Sequence, residues 1–92
     1  MNPVSVEISL YPLVPNYTEL IDSFILSFQS IPEVKVVVNG MSTQIFGDLG
    51  VIWPHLQHQI ELIHQQVQAS FVIKVIKGNH PPDAVPTYLN FS

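Results

Sequence analysis

From Val4 to Tyr11 apolar and polar positions alternate, Val4, Val6, Ile8 and Leu10 against Ser5, Glu7, Ser9 and Tyr11. Period two marks a strand with one buried face. Pro12 and Pro15 end it, because proline lacks the amide a ladder uses. The period then changes. Tyr17, Leu20, Ile21, Phe24, Phe28 and Ile31 recur at helical spacing and form one buried stripe. This helix is expected to open at Asn16, with Glu19 completing an Asn-x-x-Glu capping box, and to stop at Pro32.

Val34 to Val38 is rich in β-branched residues and predicts a second strand. Asn39-Gly40 signals a tight hairpin, Met41 to Phe46 a third strand, and Gly47-Asp48 its exit. Leu49 to about Val67 reads as a second helix whose stripe is Leu49, Trp53, Leu56, Ile60, Ile63 and Val67. Pro54 fits only a first turn, so the regular helix is expected to begin near Ile52 or Trp53. Phe71 to Ile76 is the fourth strand, closed by Lys77-Gly78.

The order strand–helix–strand–strand–helix–strand predicts an α+β, ferredoxin-like βαββαβ sandwich: a four-stranded antiparallel sheet with both helices on one face. Right-handed crossovers put the first and third strands in the centre. Val6, Ile8, Leu20, Phe24, Leu56, Ile60 and Ile73 are the expected core. Residues 1–78 form the single domain, and 79–92 a proline-rich C-terminal tail.

Composition narrows the functions. Ninety-two residues, 47% of them apolar and 11% charged, without cysteine, exclude a disordered polyelectrolyte and any Cys-ligated metal. Net charge is −4, and the cations are Lys35, Lys74 and Lys77, with no arginine. Nucleic acid and anionic membranes are therefore not expected partners. No apolar run approaches the roughly 20 residues of a transmembrane helix. The segment from Met1 to Glu7 lacks the pattern of a signal peptide, so a cytoplasmic location is expected.

Candidate chemistry is sparse. On the uncovered face of the sheet, Ser5, Glu7, Ser9 and Tyr11 should meet Ser42, Gln44 and Phe46, with Glu7 and Lys74 as cross-strand neighbours. His55-x-x-His58 and His64 suggest a metal, but His55 and His64 flank the core stripe on opposite sides, and no further ligand follows at a zinc spacing. No nucleophile elbow and no phosphate loop is present. A binding protein, not an enzyme, is expected.

Two segments together carry a family likeness. Val4 to Pro12 and Asn39 to Asp48 resemble the small thiamine-binding, YkoF-like proteins. These open on an alternating strand closed by proline and carry a small–Thr–x–x–x–Gly–acidic pattern on the third strand, here Ser42-Thr43-Gln44-Ile45-Phe46-Gly47-Asp48. Phe46 stands where that family more often has an acidic residue, and the proline-rich tail departs from its often helical C-terminus. The resemblance implies a ferredoxin-like homodimer or homotetramer that binds thiamine, or its hydroxymethylpyrimidine moiety, without catalysis or cofactor. It implies Ser42 and Thr43 as ligand contacts; an aminopyrimidine's donors and acceptors suit Asn39 and Gln44, and a cationic thiazolium suits Glu7, as candidate second contacts. Adjacent strand residues point to opposite faces, so a ligand touching both Ser42 and Thr43 must sit at the rim of the sheet. The alternative is a structural or regulatory interaction module with no small-molecule ligand, and a third reading is a small acid–base enzyme working through Glu7 or Asp48. The first two readings expect self-association: Val34 to Val38 is an edge guarded only by Lys35, and Leu26, Val51 and Leu62 lie off the helical stripes.

Overall fold

The computed structural model describes residues 1–81; the rest of the expected tail, 82–92, lies outside the described residues. The elements run β1 (Pro3–Pro12), α1 (Thr18–Gln29), β2 (Lys35–Val38), β3 (Thr43–Asp48), α2 (Leu49–Gln66) and β4 (Ala69–Lys77). The strands form one antiparallel sheet in the order β2-β3-β1-β4, with β1 and β3 central. This is the ferredoxin-like α+β fold that the alternating periods predict.

The even positions of β1 face the helices. Val4, Val6 and Ile8 are buried there with Ile45 of β3, Phe24 and Phe28 of α1, and Ile52, Leu56 and Ile63 of α2. Phe28 lies edge-on to Phe24 at 5.3 Å and to the His55 ring at 4.5 Å. Of the expected core, Val6, Ile8, Phe24 and Leu56 are buried, while Leu20, Ile60 and Ile73 are half-buried against them.

Three local expectations are corrected. Asn16 does not cap α1; it sits at φ 60°, in the left-handed region that asparagine tolerates better than most residues. The N-cap is Tyr17, at φ −95° and ψ 0°, which makes no side-chain capping hydrogen bond. The β2–β3 connection is not a two-residue Asn-Gly turn. The ladder closes at Val38 and Thr43, leaving a four-residue loop from Asn39 to Ser42. Asn39 Oδ1 accepts from the amides of Met41 (2.8 Å) and Ser42 (3.1 Å), and the Asn39 amide donates to the Ser42 carbonyl (3.2 Å). The side chain closes this loop.

The third correction concerns α2. β3 runs straight into it, so the helix begins at Leu49 and Pro54 lies in its second turn. The start is fixed from outside: the Leu49 amide donates to the Asn2 carbonyl at 2.9 Å, and the Asn2 amide donates to Asp48 Oδ1 at 2.6 Å. Ile52 consequently takes the core position, and Trp53, expected on the stripe, is 47% exposed.

Past β4 the chain turns back over the open face. Gly78, at φ 93°, donates to the Pro3 carbonyl at 2.8 Å. Ser5 Oγ donates to the Gly78 carbonyl and accepts from the His80 amide, both at 2.8 Å. At that end of the sheet Ser5 and Phe46 are buried although they have open-face parity.

Candidate functional site

The residues singled out in the sequence fall into two places. Glu7 and Gln44 are register partners on the open face. They line a depression of about 300 Å³ with Ser5, Phe46, Lys74 and His80. Glu7 lies opposite Lys74 and pairs with it at 3.5 Å, as the strand parities predict. The lysine is largely exposed, so the pair is worth about 1 kcal/mol at most.

Asn39, Ser42 and Thr43 lie elsewhere, at the end of the sheet where β1 leaves it and β2 turns into β3. They line a cleft of about 270 Å³. One wall is Ile21, Phe24 and Ile25 of α1, and the other is the Ile8–Tyr11 stretch of β1. The α1 wall was not foreseen as part of a site. Its residues belong to the same apolar stripe that fills the core, and nothing in that stripe marks where a helix stops packing and starts lining a cavity.

Ser42 joins the two places. Its hydroxyl donates to Glu7 Oε2 at 3.1 Å, on the open face. Thr43, of opposite parity, is buried on the helix side. A ligand in the cleft therefore meets the Thr43 side chain, while the Ser42 hydroxyl is already engaged by a carboxylate. Asn39 Oδ1 is likewise occupied by the loop amides, so its NH2 is the group that can serve a ligand. Asp48 stands at the opposite end of β3, five residues from Thr43, or roughly 16 Å at about 3.3 Å per residue.

The histidines do not converge. His55 packs on Phe28, and its Nε2 lies 3.0 Å from Ser27 Oγ. The Ser27 hydroxyl donates to the Phe24 carbonyl at 2.6 Å, so it accepts from His55. Burial, and after it the charge of His58, push the His55 pKa below the ordinary histidine value. His64 turns the other way, edge-on to Phe71 at 5.5 Å, with Nε2 3.0 Å from the Ala69 carbonyl. Among the described residues no three His, Asp or Glu side chains come together as a metal site. No described helix is long and apolar enough to cross a membrane.

No protein-family model matches the sequence, and no curated protein does. Solved structures do match. A hypothetical protein from Methanocaldococcus jannascii superposes with a TM-score of 0.73 at 22% identity, over 92% of this chain and 90% of that one. A protein from Streptococcus pneumoniae gives 0.72 at 24% identity, over 84% and 88%. A proposed thiamine biosynthesis/salvage protein from Thermotoga maritima gives 0.70 at 18% identity, over 92% and 90%. The chain shares the ferredoxin-like fold of these proteins over nearly their whole length.

Proposed function

We propose that the rim cleft binds an aminopyrimidine of the thiamine type, the hydroxymethylpyrimidine ring or thiamine through that ring, without catalysis. The carrying observation is the make-up of the cleft: Phe24, Ile21 and Ile25 as an apolar and aromatic wall, with Thr43 and the Asn39–Ser42 loop at its mouth. A flat heterocycle with donors and acceptors at its edge needs apolar faces and a few placed polar groups. The cleft, at about 270 Å³, is just below the roughly 300–1,000 Å³ of drug-sized pockets and suits one ring. Among the described residues its lining holds no carboxylate and no histidine, and the Glu7 carboxylate reaches it only through the Ser42 hydroxyl. The name of the Thermotoga maritima neighbour concerns thiamine biosynthesis or salvage, which agrees with this ligand class.

Calorimetric titration with thiamine and with hydroxymethylpyrimidine tests the reading. Thr43→Val is expected to weaken binding about two- to tenfold, the loss of one neutral hydrogen bond. Ser42→Ala alone should do less, because the Ser42 hydroxyl is engaged by Glu7. The double variant should exceed either. A folded double variant that binds both compounds as the parent does would show the site to be misplaced. A folded parent that binds neither at millimolar concentration leaves the interaction-module reading in its place.

Self-association belongs to the same proposal. Tyr11, Val72 and Ile76 share the open face by register, and each is at least half exposed. Apolar residues grouped this way on a sheet face call for cover. A homodimer or homotetramer is the expected species in sedimentation at micromolar concentration, and a 10.3 kDa particle would contradict it.

A further inference from the structure

Among the described residues, the lining of the rim cleft contains no charged side chain. Building on the cleft as a heterocycle site, we infer that it selects the ring as its free alcohol and excludes the phosphate and diphosphate esters of the same compounds. A phosphate ester brings about −1.5 to −2 charges at pH 7, and burying them without a cation is costly.

The chain has few cations to offer. Lys35, Lys74 and Lys77 are its only basic side chains besides histidine, and residues 82–92 add none. Lys74 is paired with Glu7 on the open face. Lys77 lies opposite Val4, four residues before the Ile8–Tyr11 wall, or roughly 13 Å at about 3.3 Å per residue. Lys35 stands opposite Phe46, with open-face parity, three residues from the Val38–Thr43 pair that closes the ladder. The terminal amine is at the Lys77 end as well, where Asn2 is tied to Asp48 and Leu49.

The amino end of α1 is the remaining place for an anion, since free amides and the helix dipole favour negative charge there. Glu19 already stands in that first turn, and Asp22 follows on the next. In a protein of net charge −4, a phosphate at that helix end meets carboxylates, and among the described residues no cation lines the cleft. Like charges brought together at a binding surface weaken binding.

Titration of the full chain with hydroxymethylpyrimidine, its monophosphate, thiamine and thiamine diphosphate reads the selectivity. Each ester is expected to bind at least about tenfold more weakly than its parent alcohol. That ratio should shrink between about 0.05 and 0.5 M salt as the repulsion is screened. Met41, 89% exposed at the cleft mouth, provides the gain-of-function arm: Met41→Lys should narrow the ratio toward one by supplying the missing cation. An ester that binds as tightly as its alcohol, or a ratio unmoved by Met41→Lys, overturns the selectivity and leaves the heterocycle site standing. Binding of none of the four compounds at millimolar concentration overturns the site itself and the selectivity with it.

Discussion

Phe24→Ala is expected to destabilise the fold by about 3–5 kcal/mol, the usual cost of emptying a phenylalanine site in a packed core. Phe24 is 2% exposed, lies edge-on to Phe28 at 5.3 Å, and sits 5.9 Å from the Phe71 ring of β4. It joins α1 to β4, the edge strand on that side of the sheet. At roughly 0.05–0.15 kcal/mol per residue, a domain of this size has only about 5–14 kcal/mol in all. The variant should therefore unfold at much lower urea, with its slope unchanged. A loss within the ~0.5 kcal/mol scatter of surface substitutions would mean that Phe24 is not the residue holding α1 to the sheet. Because Phe24 also forms part of the cleft wall, a variant that still folds should bind a planar ring more weakly than the parent.

The fold was legible because its two periods agree. Alternation in β1 leaves one parity apolar, the α1 stripe supplies a matching surface, and only one closure buries both. Parity put Glu7 and Lys74 on one face, and the register of β1 with β4 then sets them opposite each other. What escaped notice depended on contacts distant in sequence. Asn16 resembles a helix cap, yet the turn between Pro15 and Tyr17 holds it in the left-handed region. Asn39-Gly40 resembles a two-residue turn, but the Asn39 side chain organises a four-residue loop instead. At the candidate site, the Ser42–Thr43 parity split was readable: Ser42 meets Glu7 on the open face and Thr43 is buried on the helix side. The engagement of the Ser42 hydroxyl by Glu7 was not, because it arises between strands 35 residues apart. Nor was the part played by Ile21 and Ile25, which in sequence are ordinary members of a core stripe.

Pro54→Ala is expected to stabilise the protein by about 2 kcal/mol. Proline inside a helix costs about 3 kcal/mol relative to alanine, through the missing amide and the clash of its ring with the carbonyl four residues back. Here that carbonyl belongs to Gly50, in the first turn of α2. The early start of the helix creates this situation: the Leu49–Asn2 hydrogen bond draws the helix back to the end of β3, and Pro54 is left in the second turn. Alanine restores one donor and removes the clash. Against this, the unfolded chain regains the freedom that proline denied it, worth about 0.4–1 kcal/mol, so the gain should fall short of the full propensity difference. For a domain of this size each kcal/mol moves Tm by about 4–8 °C, which a calorimetric scan resolves easily. The competing force is packing: Pro54 lines an apolar hollow at the edge of the sheet with Leu49, Trp53 and Val75. An unchanged or lower Tm would show that the ring's contacts in that hollow outweigh the broken ladder. Trp53, 47% exposed beside it, separates the outcomes: a lost contact in the hollow should shift its emission to the red as solvent reaches the ring, while a gain in Tm with the hollow intact should leave the emission where it is.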